Sequence, residues 1–158
     1  MIRGAELSNC GRYRHALWRI WDENKQHLVF CMLNPSTADA EEDDPTIRKC
    51  VGFATRAGYG GIVVVNLFDW RATDPKELTA DKELLGPRRL SLCDRMGGQD
   101  VVLAWGANAR RFPERAAWVT SMARICAGRV FHIKLLDDGV PAHPLMLPYS
   151  LPLTEMRQ

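Results

Sequence analysis

Four short apolar segments, separated by helix-forming stretches, constrain the fold of this sequence most strongly. Their apolar residues run on continuously and are rich in Val, Ile and Leu, whereas strands with one wet face alternate apolar with polar residues. A continuous run of this length is typical of a strand that is buried on both faces of a sheet. The segments are residues 27–33, 61–67, 100–105 and 129–134.

The stretches between these segments carry the start signals of helices. Each has a proline near its first position, where the missing amide hydrogen costs least. They cover residues 45–57, 87–96 and 113–127. Strands that alternate with helices predict parallel crossovers, with helices on both faces of the sheet. The predicted fold class is therefore α/β, a three-layer α/β/α sandwich around a four-stranded parallel central sheet.

The N-terminal part precedes this alternation and has a different pattern. Residues 13–21 alternate imperfectly between apolar and polar, and a polar cluster follows at residues 22–25. This pattern predicts a β-hairpin that leads into the first core strand. The sequence contains no internal repeat, low-complexity tract or linker, so a single domain is expected over residues 1–158.

The composition excludes several classes of protein. Charged residues make up 25% and hydrophobic residues 46% of the 158 residues, as is ordinary for a soluble globular protein. No apolar run approaches the roughly 18–20 residues of a membrane-spanning helix, and the first residues lack the apolar core of a signal peptide. We therefore expect a cytoplasmic protein with no membrane partner. The net charge of +2 is too small to indicate nucleic-acid binding, which must be argued from a site.

The cysteines are odd in number and widely spaced along the chain. No two of them have the close spacing of a zinc or iron–sulfur motif, and an odd number does not fit a disulfide framework. We expect buried or free thiols, no structural metal and no cofactor. The positions are Cys10, Cys31, Cys50, Cys93 and Cys126.

Polar segments follow each of the four predicted strands. In an open parallel sheet, ligands bind outside the carboxyl ends of the strands, so chemistry is expected in these segments. They converge on one edge because parallel strands all end there. The segments are residues 34–39, 66–75, 106–108 and 139–145.

Six blocks of the sequence, in the same order, resemble a small bacterial and phage family of unknown function, the DUF1643 family. The resemblance extends over nearly the full chain and implies no particular activity. The blocks are residues 33–39, 43–48, 65–68, 71–75, 104–107 and 143–145, and they contain the motifs NPSTAD, DDPTIR, NLF, RATDP, WGA and HPL.

The order of these blocks is also similar to that of the uracil-DNA glycosylase superfamily. In its mismatch-specific branch a strand runs into Asn-Pro, as it does here at Asn34-Pro35. In its iron–sulfur branch a second strand ends in Asn, with Arg and then Pro beyond it. Asn66, Arg71 and Pro75 match that pattern.

Two further blocks add to this resemblance. Residues 105–107 are similar to the Leu-Gly-Ala that follows the superfamily's third strand, and His143-Pro144 matches the start of its late motif. The chain departs from the superfamily where Leu145-Met146 replaces Ser-Pro, and the iron–sulfur cysteines have no counterparts. The resemblance implies a uracil-DNA-glycosylase-like fold that acts on a base extruded from DNA.

The resemblance also implies catalytic roles. Asn34 would direct a water molecule at the anomeric carbon through its side-chain oxygen, and His143 would stabilise negative charge on the departing base. Each has a structural interpretation as well, Asn34 as an Asx-turn residue and His143 as a hydrogen-bonding residue of a surface loop. Asp39 or Asp43 is a further catalytic candidate, as a carboxylate that activates a nucleophile.

The run from Asp39 to Asp44 is acidic and allows a different chemistry. Carboxylate oxygens suit magnesium or calcium, which makes a metal-assisted site one alternative. The other alternative is structural, because Asp44 followed by Pro45 is typical of a helix N-cap and the first helical residue. Carboxylates at a helix start also interact favourably with the helix dipole.

Further residues of the polar segments are candidates for substrate contact. The rings of Phe68 and Trp70 can stack on an extruded base, although aromatic residues at strand ends also pack as lids over a core. Arginines are candidates for phosphate contact or else belong to a solvated surface. The arginines are Arg48, Arg71 and Arg110, and the other predicted binding residues are Pro35, Ser36, Thr37, Asn66 and Pro144.

Together with these residues, the resemblance implies a glycosylase-like hydrolase as the leading function. Its substrate and partner is DNA with a modified or damaged base, or a related nucleoside or nucleotide, in DNA repair or phage defence. No cofactor is required. The alternatives are a module that binds a modified base or nucleotide without cleaving it, and a metal-assisted nucleotide-processing enzyme that uses residues 39–44.

Overall fold

The computed structural model describes residues 1–87 and 90–157, and in that part of the chain its centre is one sheet of seven strands. The strands lie in the order β1-β2-β4-β3-β5-β6-β7. They are β1 (Ile2–Leu7), β2 (Arg14–Ile20), β3 (His27–Met32), β4 (Gly61–Asn66), β5 (Asp100–Leu103), β6 (Arg129–His132) and β7 (Thr154–Glu155).

The four predicted core strands, β3 to β6, pair with one another in parallel. The predicted α/β fold is confirmed, but the sheet is mixed and wider than the four parallel strands predicted. β1 and β2 pair antiparallel, and β2 extends the sheet beyond β4. At the other edge β7 pairs antiparallel with β6, and its two residues are too few to give a recognisable sequence pattern.

An N-terminal hairpin is present, but it is built differently from the prediction. Most of residues 13–21 form a single strand, β2, whose partner in the hairpin is β1. β2 then joins the sheet beside β4 rather than beside β3. The reason is that β3 is a central strand, and both of its sides are occupied by β4 and β5.

Three α-helices connect the parallel strands within the described residues. α1 (Pro45–Arg56) and α3 (Pro113–Cys126) begin at prolines, as predicted. α2 (Leu92–Met96) begins later than residue 87, because Ser91 and Asp94 form a capping box that fixes its start. Residues 88 and 89 of the predicted helix lie outside the described residues. No helix in the two described ranges is long and apolar enough to cross a membrane.

The helices cover both faces of the sheet. α1 packs on one face through Ile47 and Phe53, against alternate strand residues such as Phe30. α2 and α3 pack on the opposite face, where Met96 and Val119 meet the other half of the strand residues. Because both faces are covered, the core strands are apolar throughout, which explains the continuous apolar runs in the sequence.

A disulfide between Cys93 and Cys126 joins the start of α2 to the end of α3. The expectation that the cysteines are thiols is wrong for these two. They are 33 residues apart in the chain, but the packing of α2 against α3 brings their Cα atoms to 5.8 Å. Cys10 and Cys50 are free thiols, the first exposed and the second buried. Spacing along the chain does not reveal a pair that tertiary packing brings together.

Candidate functional site

A cavity of about 460 Å³ lies at the carboxyl ends of the parallel strands. This volume falls within the range of about 300–1,000 Å³ that is usual for small-molecule sites. Its wall combines residues that follow β3, β4, β5 and β6 with the first turn of α1, so segments distant in the chain converge on it. The wall includes Arg14, Asn34, Ser36, Thr37, Asp44, Thr46, Thr73, Trp105, Gly106, Asn108 and His143.

Asn34 lies just beyond β3, and the proline after it restricts its backbone to an extended conformation. Its side-chain nitrogen Nδ2 donates to the carbonyl oxygens of Pro35 at 3.0 Å and Ala72 at 2.8 Å. A carbonyl only accepts hydrogen bonds, so both contacts require the nitrogen end of the amide. The side-chain oxygen Oδ1 is therefore left to accept a hydrogen bond from a molecule in the cavity.

His143 precedes the short 3₁₀ helix Pro144–Met146 and caps it. The amide of Leu145 donates to Nδ1 of His143 at 3.2 Å, so the proton of the neutral ring is on Nε2. Burial lowers the pKa of His143, and the negative charge of Asp44 offsets only part of this effect. The cavity wall therefore holds a neutral imidazole with an Nε2–H donor.

Gly106 brings the segment after β5 against His143. Its φ is +85°, a left-handed conformation that favours glycine, and a Cβ atom there would lie 2.9 Å from Cβ of His143. The Gly106 amide also donates to the carbonyl of Pro141 at 2.9 Å. The segments after β5 and β6 are thus in close contact. The structure places Asn34 and His143 on the wall of the same cavity.

Asp39, a further catalytic candidate, does not belong to the cavity wall. Its Oδ1 accepts from the backbone amides of Glu42 at 2.8 Å and Glu41 at 2.9 Å. These two bonds, with that from Glu42 first in importance, hold the pKa of the Asp39 carboxyl below its usual value. The carboxylate therefore stabilises the turn that precedes α1.

The other aspartates of the acidic run also have separate structural partners. Asp43 accepts from Nε of Arg19 at 2.8 Å, and Asp44 accepts from the amide of Ile47 at 2.9 Å as the N-cap of α1. Of the run, Asp44 alone lies on the cavity wall. Across residues 1–87 and 90–157, no group of three or more His, Cys, Asp or Glu side chains is placed to hold a metal ion. The described residues therefore give no ligand cluster to the metal-assisted alternative.

Among the predicted binding residues, Ser36 and Thr37 lie on the cavity wall. Pro35 and Pro144 are buried behind it, and neither side chain reaches the cavity. Asn66, the last residue of β4, is also buried, and its side-chain amide has no hydrogen-bond partner among the described residues. The wall thus receives the two hydroxyl residues of the segment after β3 but not the proline that precedes them.

The two aromatic candidates pack elsewhere. Phe68 is buried, and its ring meets that of Phe112 edge-on at a centroid distance of 4.8 Å. Trp70 contacts Tyr13 in the same manner at 5.5 Å, beside a neighbouring groove. The aromatic side chain on the cavity wall is Trp105, which follows β5. Its signal in the sequence was the block at residues 105–107, which suggested a resemblance but no role for the tryptophan.

The arginines predicted to contact phosphate lie outside the cavity wall. Arg71 donates to the carbonyls of residues 36–37 and so shapes the loop after β3. Arg48 is exposed on α1. Arg110 forms a bidentate pair with Asp138 at 2.6 and 3.1 Å. Arg71 thus bonds a loop, and Arg48 and Arg110 lie on the surface.

Sequence reasoning missed Arg14, a buried cation on the cavity wall. Arg14 is 2% exposed, and its Nη1 donates to the carbonyl of Ala38 at 2.8 Å. Burial lowers the pKa of Arg14 to about 10, so the side chain is charged at neutral pH. Its signal in the sequence was a charged residue at the start of a predicted strand, and such residues usually face solvent.

Comparison with known proteins gives a family match. The model of a family described as "Protein of unknown function (DUF1643)" matches residues 14–145 of this chain. The match begins at Arg14 and ends beyond His143, so it includes every residue of the cavity wall. No curated protein and no solved structure matches the chain.

Proposed function

The chain belongs to the DUF1643 family, and from the geometry of its cavity we propose that it is a glycosylase-like hydrolase. The substrate is a modified or damaged base in DNA, or a related nucleoside or nucleotide. Water forms a bond to the anomeric carbon, the bond from that carbon to the base nitrogen breaks, and the base departs with its electron pair. The proton lost by water ends on the departing base, so the reaction needs no cofactor.

The arrangement of Asn34 and His143 carries this proposal. Each side chain is held by hydrogen bonds to the backbone, and each retains one polar atom beyond those bonds, Oδ1 on Asn34 and Nε2–H on His143. An acceptor holds an attacking water through one of its protons, and a donor stabilises negative charge where it develops. A fixed acceptor and a fixed donor on one cavity wall support a reaction in which water attacks and an anion departs.

Trp105 is the aromatic residue of the cavity wall, and we assign to it the stacking role predicted for Phe68 and Trp70. It lies on the cavity wall, next to the segment that contacts His143. Enzymes that act on extruded bases recognise them by stacking and by hydrogen bonds to their edges. Ser36 and Asn108 provide polar groups on the same wall for such bonds.

A screen for base release tests the proposal. Oligonucleotides with single modified bases, and the matching nucleosides and nucleotides, are incubated with the protein, and free base is measured by chromatography. Asn34→Ala and His143→Ala should each lower kcat by about 10²–10³-fold, with a much smaller change in KM. Asn24→Ala, in an exposed turn, is the matched control and should retain the wild-type rate.

The stability of each variant is measured beside its rate. Asn34→Ala removes two hydrogen bonds to loop carbonyls and should lower the free energy of unfolding by about 1–3 kcal/mol. A folded variant that has lost its rate supports the catalytic role. Wild-type rates in both alanine variants would contradict the roles assigned to these residues. Tight binding of a base or nucleotide without release of free base would identify a binding module instead.

A further inference from the structure

Arg14 reaches the cavity because the strand that carries it contains a β-bulge. Glu6 of β1 pairs with Ala16 of β2. The next residue of β1, Leu7, pairs with Arg14, so His15 is an extra residue in the ladder. In a regular strand Arg14 would share a face with Ala16, on the side of α2 and α3. The bulge turns Arg14 away from that face, and its side chain lines the cavity at the carboxyl ends of the strands.

The positive charge of Arg14 has no counter-charge in direct contact within the described chain. Its Nη1 donates to a neutral carbonyl, that of Ala38, and its buried Nε has no hydrogen-bond partner among these residues. Asp44 is the acidic residue of the cavity wall, but it caps α1 and forms no ion pair with Arg14. Because an unpaired buried charge is costly, this arrangement disfavours the fold alone and favours a negatively charged ligand.

Arg19, on the same strand, shows how this fold stabilises a buried arginine with a structural role. It is 0% exposed, and its Nε donates to Asp43 at 2.8 Å. Its other two nitrogens donate to the carbonyls of residues 4, 18, 39 and 42. Every nitrogen of this guanidinium therefore has a partner. Arg14 is nearly as buried, at 2% exposed, but has one such bond, and it differs in lying at a cavity.

The cavity wall around Arg14 is rich in hydrogen-bond donors. Four hydroxyl groups line it, and none of them forms a side-chain hydrogen bond with another described residue. A guanidinium together with hydroxyls is a donor set that proteins use for phosphate oxygens. The four residues are Ser36, Thr37, Thr46 and Thr73.

We propose that Arg14 anchors the phosphate group of a free nucleotide in this cavity. The inference rests on the proposed function and narrows its substrate class to a nucleoside monophosphate. An enzyme that extrudes a base from DNA takes the base into its pocket and leaves the backbone phosphates outside, whereas a terminal phosphate can enter with its nucleoside. Because Arg14 is 2% exposed, a phosphate must be inside the cavity to reach it.

Isothermal titration with inorganic phosphate, the four common deoxynucleoside 5′-monophosphates and their nucleosides tests this proposal. We expect inorganic phosphate to bind, and at least one monophosphate to bind roughly 10–100-fold more tightly than its nucleoside. Arg14→Gln should lose that advantage. Arg124→Gln, at an exposed position of α3, is the control and should retain it. Equal affinity for monophosphate and nucleoside, or an unchanged advantage in Arg14→Gln, would overturn the proposal.

A second variant at position 14, and a comparison of binding with base release, complete this test. Arg14→Lys retains the charge, and partial recovery of monophosphate binding in this variant supports an anchor that acts through charge. If Arg14→Gln does not fold, Arg14→Lys and Arg14→Met take its place, and equal affinity of the wild-type protein for monophosphate and nucleoside still overturns the proposal. Monophosphate binding that depends on Arg14 but yields no free base leaves this inference intact and contradicts hydrolysis. Base release from oligonucleotides at the wild-type rate by Arg14→Gln contradicts this inference and leaves hydrolysis intact.

Discussion

Two buried charged groups, Asp100 and Arg14, lie at opposite ends of the parallel strands and differ in how many hydrogen-bond partners they have. At the amino end, Asp100 accepts from the Tyr59 hydroxyl at 2.7 Å and from Nε and Nη2 of Arg129 at 3.2 and 2.8 Å. Burial alone would raise the pKa of Asp100, but the bonds from Arg129 and Tyr59 outweigh it and lower that pKa. At the carboxyl end, Arg14 donates to one carbonyl, and its Nε has no partner in the described chain.

The number of hydrogen-bond partners distinguishes polar groups that stabilise the fold from groups that are available to a ligand. A buried group with all its partners contributes to stability, whereas one without them costs stability and calls for an explanation outside the fold. The disulfide adds to the contrast, because Cys126 lies shortly before β6, at the amino end of the strands. We therefore expect substitutions at the amino end to change stability, and those at the carboxyl end to change binding and turnover.

The largest effect on stability is expected from the disulfide. Cys93→Ser opens a bridge across 33 residues, and the freedom gained by the unfolded chain should lower the free energy of unfolding by about 3–4 kcal/mol. Denaturant titration measures the change, with Cys10→Ser, at an exposed free thiol, as control. Monophosphate binding should persist in the folded variant. An unchanged midpoint for Cys93→Ser would show that the bridge does not stabilise the amino end.

Asp100→Ala should have the next largest effect, a loss of about 2–3 kcal/mol. The substitution leaves the Tyr59 hydroxyl and the Arg129 guanidinium without the partner they share. Denaturant unfolding gives the magnitude, and monophosphate binding should again persist. Asp138→Ala breaks an exposed pair with Arg110 and is the matched control, for which little change is expected.

Arg14→Met should have the converse effect to Asp100→Ala, because it should change ligand binding rather than stability. It replaces an unpaired buried charge with an apolar side chain of similar length, so the free energy of unfolding should stay within about 1 kcal/mol of the wild-type value. Phosphate binding should be lost. A loss of stability as large as that of Asp100→Ala would remove the distinction drawn between the two ends.

Acidification should lower the free energy of unfolding in two steps. The first comes from histidines at the carboxyl end of the strands, and the second comes from Asp100 at the amino end. Burial lowers the pKa of His143 from 6.5, so below pH 6.5 the unfolded chain binds a proton more readily than the folded one, and stability falls. His132, at the end of β6, contributes in the same direction, because burial also lowers its pKa. The pKa of Asp100 is lowered from 3.8, so its contribution is lost only as the pH falls through that lower folded value.

Unfolding free energies measured from about pH 7 to about pH 3 test this order. His143→Gln should reduce the decline that begins near pH 6.5, leaving the part due to His132, and should not change the decline below pH 3.8. Asp100→Asn should reduce the decline below pH 3.8 and leave the decline that begins near pH 6.5 in place. Identical profiles for the wild-type protein and His143→Gln would show that this imidazole does not link acidity to stability.

Elements that depend on local interactions could be predicted from the sequence. Continuous apolar runs located β3 to β6, and prolines located the starts of α1 and α3. The start of α2 was placed too early because the capping box at Ser91 and Asp94 is a stronger start signal than Pro87. The pairing of β2 with β4 and the bridge from Cys93 to Cys126 depend on tertiary packing, which no local pattern records.

The residues of the candidate site also fall into those that the sequence could predict and those that depend on tertiary packing. Asn34 and His143 lie beyond strands whose ends could be located, so their approach to one edge followed from the topology. Phe68 is as close to a strand end, yet its ring packs against Phe112, since periodicity does not fix the direction of a loop side chain. Arg14 was missed because its direction depends on a bulge, and a single extra residue leaves no periodic trace in the sequence.

The loops around the cavity are bonded to one another, and this determines how the protein should respond to heat. Asn34 joins the loops after β3 and β4 through the carbonyl of Ala72. Gly106 joins the loops after β5 and β6 through the carbonyl of Pro141. Each loop is held by its neighbour, so the cavity should lose its shape when the sheet itself melts. Thermal inactivation and global unfolding should then share one midpoint, without a range of temperature in which the protein is folded but inactive.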